Sequence, residues 1–418
     1  MTYREVKAKF IQYFTTKLGH KLVASSPLIP EHDASVLFTT AGMQQFKPYY
    51  TGVPSPWGDR VVSIQKCFRT SDIDAVGDES HLTFFEMFGN FAFNGSVSKE
   101  EAIRWGWEFL TSPDGMDIDK FRLMATYYNG NRHGTFSDTE AKTALEALRT
   151  DGLTQIVAQP DSDNFWGPTG NEGPCGPTVE FYVDGIEVWN IVFNQFYSEV
   201  NGALQPTEHG LGIDTGMGLE RLLVAVTAEA NNVYDTDAFT PVIEKIQDHT
   251  PDLTGDTNKS MRIIADHLRA SVFLLAEHIQ PSNKEQGYLL RRLLRRAILH
   301  LDKLEALAGY REILETVINY YEEFYPDLSK EKTNIIQLAE LEKDKFLKTI
   351  TQGRKELEKL LVDIPPGELV RAVQAFSLFA TYGLPLDFIK EEAARANLKI
   401  DEVGFEQAFR EHQDMSRA

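Results

Sequence analysis

Three stretches in the first 225 residues bring charged side chains together with glycines and aromatics in patterns that could bind a phosphate or an amino group. Residues Ser63–Phe93 read SIQKCFRT, then an acidic loop SDIDAVGDES, then HLTFFEMFGNFAF. Two aromatic-rich strands joined by a polar loop make a hairpin, with Arg69 near the end of the first strand. A guanidinium is a rigid fork of donors that matches phosphate oxygens; pairing with a loop acid such as Asp72 is the alternative. Residues Ile213–Leu223 read IDTGMGLERLL. Asp214 follows a short apolar run, the glycines permit close backbone approach, and a helix begins near Leu219. A buried Asp214 could hold an ammonium and Arg221 a polyphosphate; otherwise Asp214 caps the helix and Arg221 is solvated. In Asp163–Phe196, Trp166 precedes a Gly/Pro-rich loop and two aromatic strands, the lining of a small pocket. Glu180 and Glu187 stand in strand-like runs, so one could point inward as a magnesium ligand or outward to solvent. Asn190, between Trp189 and Ile191, requires a partner if buried, and a substrate would serve.

The second half holds a different pattern. Gly287–Arg296 reads GYLLRRLLRR, and doublets at four-residue spacing set the leucines on one helix face and Arg291, Arg292, Arg295 and Arg296 on the other. Lys284–Lys303 carries six basic and two acidic residues, a local +4 in a chain of net charge −20. Arginines without interleaved acids fit contacts to a phosphate backbone, a solvated face being the alternative. The turn Pro281-Ser282-Asn283 could present Asn283 to a base edge. His267, His278 and His300 have no metal-ligand spacing.

The elements that must position these residues fall into two regimes. Residues 1–247 contain short strand-length runs (Val61–Ile64, Leu82–Phe85, Arg122–Tyr128, Glu187–Phe196) interrupted by helical patterns at 4–18, 98–110 and 218–230, which reads as α+β around a largely antiparallel sheet. The polar stretch Asp248–Lys259 is the expected linker, and 260–418 has helical periodicity broken only at prolines, an all-helical domain. With 42% hydrophobic and 25% charged residues the composition is that of a globular protein. The acidic balance argues against wholesale nucleic-acid coating but leaves room for a local basic patch. Cys67 and Cys175 are the only cysteines, which excludes a disulfide scaffold and a four-cysteine zinc site. The charged N-terminus is not a secretory signal, and no run approaches the roughly 20 apolar residues of a membrane span. A cytoplasmic protein is expected.

These motifs resemble those of the alanyl-tRNA synthetases, a class II aminoacyl-tRNA synthetase family. Motif 1 resembles Ser25–Phe46, motif 2 Gln65–Phe91 and motif 3 Asp214–Arg221, and the family's DNFW, WNxVF, PSNxxxGYLxRRxxRR and TYGxPxD signatures stand at Asp163, Trp189, Pro281 and Thr381. The resemblance covers essentially the whole chain. It implies a class II antiparallel sheet flanked by helices, followed by a helical tRNA-recognition domain. It also implies a ligase that converts alanine and ATP to alanyl-adenylate, then transfers alanine to the 3′ end of tRNA(Ala). By this resemblance Arg69 binds the α-phosphate and Arg221 reaches the triphosphate. Asp214, Asn190, Trp166 and Gly216 hold alanine, with Asp214 and Asn190 at its ammonium and carboxylate region. Trp166, Val188, Trp189, Asn190 and Gly218 line the ATP pocket; the family's ATP-contacting second histidine is Leu82 here, so His81 or another donor must substitute or ATP binds more weakly; and Glu187 takes Mg2+. Asn283 contacts the acceptor stem, whose phosphates Arg291, Arg292, Arg295 and Arg296 track.

Three departures stand out. His-Leu (His81, Leu82) replaces the family's His-His, Thr178 replaces a cysteine, and Ala380 replaces the aspartate that helps read the acceptor stem's G·U pair. Discrimination of that pair is therefore expected to relax or to lean on Asn283. The 418 residues carry no His/Cys zinc cluster of the family's editing domain and no dimerisation region. The expectation is a monomer without its own editing domain that mischarges serine or glycine measurably. Loading of a different acceptor such as a carrier protein, and a catalytically silent tRNA-binding paralogue, are the competing functions.

Overall fold

The computed structural model describes residues 1–31, 36–131, 134–251, 257–365 and 367–417. His32–Ser35, within the motif 1 resemblance, and Asp252–Asp256, within the expected linker, lie outside the described residues. The chain divides into two compact units, one of Met1–Thr70 with Glu79–Thr240 and one of Ser71–Asp78 with Pro241–Ala418.

The first unit is built on a sheet. Its strands are β1 (Lys21–Leu22), β2 (Arg60–Phe68), β3 (Phe84–Ala92), β4 (Leu123–Tyr128), β5 (Gln155–Gln159), β6 (Phe165–Trp166), β7 (Gly173–Val183), β8 (Ile186–Asn194), β9 (Phe196–Ser198), β10 (Leu204–Pro206) and β11 (Gly212–Gly218). The main order is β1-β2-β3-β11-β8-β7-β4-β5, antiparallel except for the parallel pairs β1/β2 and β4/β5. Helix α1 (Tyr3–Gln12) starts at a reciprocal cap between Thr2 and Glu5, and α2 (Lys99–Thr111) at another between Ser98 and Glu101. Helices α3 (Thr139–Ala147), α4 (Asp161–Asn164) and α5 (Leu219–Val226) complete the unit. One sheet face packs on an aromatic core: Phe10 stacks on Phe88 at 4.3 Å between ring centroids, and Phe109 meets Trp189 edge-on at 5.6 Å. On the opposite face Phe91 packs in a second cluster with Met43, Phe46 and Tyr50, beside the polar side chains described below.

The second unit is helical: α6 (Thr240–Asp248), α7 (Asn258–Ala276), α8 (Glu285–Lys303), α9 (Tyr310–Tyr321), α10 (Asp327–Lys330), α11 (Lys332–Val362), α12 (Ala372–Tyr382), α13 (Leu386–Arg395) and α14 (Glu402–Arg417), with one two-residue ladder between β12 (Leu369–Val370) and β13 (Lys399–Ile400). No helix among the described residues is long and apolar enough to cross a membrane. The segment Ser71–Asp78, from the loop of the β2–β3 hairpin, groups with this unit. Its Ile73 and Val76 are fully buried. Arg296 of α8 donates to their carbonyls, at 2.7 Å to Ile73 and 3.3 Å to Val76, and to His267 Nε2 at 2.8 Å. Arginine has only donors, so His267 accepts on Nε2 and donates from Nδ1 to Asp266 at 2.8 Å. Burial, ahead of the neighbouring Arg296, lowers His267 to about 4, so the relay stays neutral at the histidine.

This corrects the reading of Arg296 as a phosphate contact. It lies three residues beyond Leu293 and seven beyond Leu289, which places it in the buried stripe of α8 at 5% exposure. Arg296→Ala would strip two loop carbonyls and a buried imidazole of their donor. A loss of about 2–3 kcal/mol in chemical denaturation is expected, with faster amide exchange across 71–78. Unchanged exchange there would refute the anchoring role.

Candidate active site

Strand register decides which side chains meet on the sheet face opposite the Phe10–Phe109 core. Between β11 and β8, Asp214 lies opposite Val192 and Gly216 opposite Asn190. Between β7 and β8, Glu180 lies opposite Asn190 and Thr178 opposite Val192. Directly opposed residues share a face, so Asp214, Gly216, Val192, Asn190, Glu180 and Thr178 line one surface.

The β7–β8 hairpin turns at Asp184 and Gly185, both at positive φ (50° and 83°), with Val183 paired to Ile186. Such a two-residue turn suits the twist of the strands, and continued regularly it would set Glu180 opposite Trp189. Instead the register shifts between Phe181 and Tyr182: Tyr182 pairs with Glu187 and Phe181 with Trp189, leaving Val188 as the extra residue. Beyond the bulge every side chain of β8 changes face. Glu187 and Asn190, three apart, thereby come to the same side, and Trp189 turns into the helix-covered core at 1% exposure against Phe14 and Phe109. The expectation that the Trp189 side chain lines the pocket is corrected on this ground: it cannot share a face with its neighbour Asn190. Val188, in the bulge, is buried at 2%.

Asp214 is 4% exposed, and no donor or cation meets its carboxylate among the described residues. Burial alone pushes its carboxyl up to about 8. It is not a helix cap: α5 has Gly218 at that position, without a side-chain cap. Beside it, Tyr50 OH donates to the Ile213 carbonyl at 2.8 Å. Asn190 Nδ2 donates to Glu180 Oε1 at 3.0 Å, and Tyr182 OH to Glu180 Oε2 at 2.6 Å. Burial chiefly, with Glu187 and Asp163 adding repulsion, raises Glu180 to about 7 despite the Tyr182 hydrogen bond. A Cβ at Gly216 would come within 3.1 Å of Met87 Sδ, so this position is restricted by contact rather than by backbone angle.

The cationic groups stand around this surface. Arg69 continues the β2–β3 ladder, its N–H donating to the Thr83 carbonyl at 2.9 Å, and its guanidinium lies 4.9 Å over the Phe85 ring. With Trp166 and the Gly167–Gly170 turn it lines a cavity of about 300 Å³. Arg221, on the first turn of α5, pairs with Glu187 at 3.2 Å. The adjoining Glu220 accepts from the Glu86 N–H at 3.2 Å, which ties α5 to β3. His81 is exposed, and its carbonyl accepts from Tyr234 OH at 3.4 Å; Leu82 is buried at 6% exposure.

The helical unit has its own groove of about 800 Å³, whose walls include Asn283, Arg291, Arg292, Arg295 and Ala380 together with Tyr288, Phe379 and Phe409. The expected contact residues other than Arg296 thus converge, but not as unpaired charges. Arg292 pairs with Asp74, Arg291 hydrogen-bonds Asn283, and Arg295 Nε meets Glu342 at 2.8 Å with Arg291 Nε 3.4 Å from the same carboxylate.

Residues 5–418 match the model of the tRNA synthetases class II (A) family. An alanine–tRNA ligase of Borrelia hermsii is 39% identical over 444 residues, covering 99% of this chain and 72% of that protein. One of Treponema pallidum is 40% identical over 440 residues, with the same shares of 99% and 72%. One of Rubrobacter xylanophilus is 39% identical, across 99% of this chain and 49% of that protein. The chain belongs to the class II synthetase family.

Sequence reasoning about this class II synthetase passed over Val192, opposite Asp214; Glu180 as the holder of Asn190; and Glu342 beneath the arginines. Alternation from Asn190 would have found Val192. Glu180 depends on the bulge and Glu342 on helix packing, neither of which leaves a local signal.

Asp214 also makes a stability prediction. Its native carboxyl sits well above the unfolded value of 3.8, so between about pH 4 and pH 8 the native state binds more protons and this group's contribution falls as pH rises. Asp214→Asn should gain stability over wild type progressively from pH 5 to pH 8 in urea titrations. A pH-independent difference would count against an uncompensated carboxylate.

Proposed function

We propose that the chain activates alanine with ATP and transfers it to the 3′ end of tRNA(Ala). The observation that carries this reading is the buried, uncompensated carboxylate of Asp214 on the same face as Asn190, a seat for a small amino acid's ammonium group. The alanine carboxylate attacks the α-phosphorus of ATP, the bond to the β-phosphate oxygen breaks, and pyrophosphate leaves. The terminal ribose hydroxyl of the tRNA then attacks the carbonyl carbon of the adenylate and AMP departs. Arg69, with Trp166 in the adjoining cavity, holds the α-phosphate and stabilises the charge that grows on it. Arg221 meets the triphosphate, and His81, Val188 and Gly218 border the nucleotide. Magnesium usually takes one or two carboxylates and substrate phosphates rather than an all-protein cage. Glu187, partly exposed and, among the described residues, ion-paired to Arg221, fits as one such ligand; bound there, the ion would neutralise phosphate charge. The reading places the enzyme in the cytoplasm as a monomer.

The groove of the helical unit is the seat proposed for the acceptor stem, with Asn283 toward a base edge and Arg291, Arg292 and Arg295 toward phosphates. Ala380 in its wall has no side-chain acceptor to offer a base pair.

Alanine-dependent pyrophosphate exchange and charging of a tRNA(Ala) transcript test the reading. Both are expected in wild type, and Asp214→Ala should lose exchange by at least about a hundredfold, the loss of a desolvated charge contact. Exchange without charging would point to another acceptor, and absence of both would defeat the proposal. Replacing the stem's G·U pair by G·C should reduce charging less than about a hundredfold. A larger drop would mean that discrimination survives Ala380.

A further inference from the structure

Asn190 has an amide with two chemically opposite ends, and its surroundings specify which end is free. Above about pH 7, where Glu180 is ionised and where the test below is run, its carboxylate only accepts hydrogen bonds. Glu180 accepts one from Asn190 Nδ2 at 3.0 Å and one from Tyr182 OH at 2.6 Å, so Asn190 turns its nitrogen toward Glu180. Its carbonyl oxygen is left shielded from solvent with no hydrogen-bond partner among the described residues. Buried acceptors are ordinarily satisfied, and here the donor must come with a ligand.

Strand register indicates which ligand group that is. Asp214–Val192 and Gly216–Asn190 are adjacent cross-strand pairs, so these four residues form a patch with its two polar side chains on one diagonal. Diagonal neighbours on an antiparallel pair lie within reach of one another's side chains. The other two corners are a glycine, over which the Met87 side chain lies, and a valine, which offers methyl groups. A primary ammonium, with three donors and no acceptor, fits between the Asp214 carboxylate and the Asn190 carbonyl. A substrate carboxylate in the same place would face acceptor oxygens on both sides.

We propose that Glu180, held by Tyr182, is a positioning residue that fixes the Asn190 amide with its oxygen toward the pocket, so that Asn190 and Asp214 together seat the substrate's ammonium group and not its carboxylate. This rests on the amino-acid-activating role proposed above and assigns one group of that substrate to one side chain.

The test compares two probes as inhibitors of alanine-dependent pyrophosphate exchange: alaninol, which keeps the ammonium and methyl but lacks the carboxylate, and propionate, which keeps the carboxylate and methyl but lacks the ammonium. Glu180→Gln supplies an amide donor that lets Asn190 reverse. The expected result is a rise of about tenfold or more in the alaninol inhibition constant and in KM for alanine, the worth of one hydrogen bond to a charged group. The propionate constant and KM for ATP should stay within twofold. Tyr182→Phe should move the same constants in the same direction by less. The double variant Glu180→Gln/Asn190→Asp restores an acceptor on the pocket side while the amide introduced at position 180 donates to it from behind, and should recover alaninol inhibition. A general packing defect would not be rescued in this way, so the double variant also decides the matter if the single variant folds poorly. Equal weakening of both probes, weakening of propionate alone, or no change would overturn the inference. Wild type without alanine-dependent exchange would instead overturn the functional reading on which it rests.

Discussion

One extra residue in β8 determines the chemistry of the sheet face that carries Asp214. Side chains on a strand alternate, so Val188, bulged between Glu187 and Trp189, reverses the facing of everything after it. Without it the largest apolar side chain of the strand would stand in the pocket and Asn190 would be forced into an aromatic core lined by Phe14 and Phe109. The bulge is paid for by its own burial: Val188 is packed at 2% exposure. The positions of Asn190, Glu187 and, through Glu187, Arg221 all follow from that local irregularity.

Charge is handled in opposite ways by the two units. In the sheet unit Asp214 is desolvated and, among the described residues, left without a counter-charge, while the nearby acids Glu180 and Glu187 each have a partner. In the helical unit the four arginines of α8 are all engaged, three of them with a carboxylate or with Asn283 at the groove wall and the fourth inside the fold. A guanidinium has five donors, so one carboxylate such as Glu342 leaves much of each arginine's capacity available. It also restricts the side chain's rotamers, which lessens the entropy that a later contact must overcome.

The α+β sheet, the helical second half, Arg69 at the end of a hairpin strand and Asp214 on a strand ahead of a helix were all legible from residue types and spacing. Each rests on a local rule: period two, period 3.6, or a glycine beside a charged residue. Features that depend on tertiary context were not legible. The bulge at Val188 breaks the period on which strand reasoning relies, and the resemblance assigned both Trp189 and Asn190 to the pocket although neighbours on a strand face opposite ways. The four-residue spacing in GYLLRRLLRR suggested two clean faces, but 100° per residue carries Arg296 back into the leucine stripe. Segment Ser71–Asp78 looks like an ordinary polar hairpin loop, and nothing in SDIDAVGDES indicates that Ile73 and Val76 are buried with the helices.

The carboxyl of Asp214 has one more consequence, which concerns protons rather than structure. With its titration moved up to about 8 by burial, this carboxyl is largely in its uncharged form near neutral pH. A cationic guest favours the ionised form, so its arrival expels a proton into solvent. On the proposed reading, occupancy of the site is an exchange of one cation for another, and the heat of filling it includes the ionisation heat of whatever buffer takes up that proton.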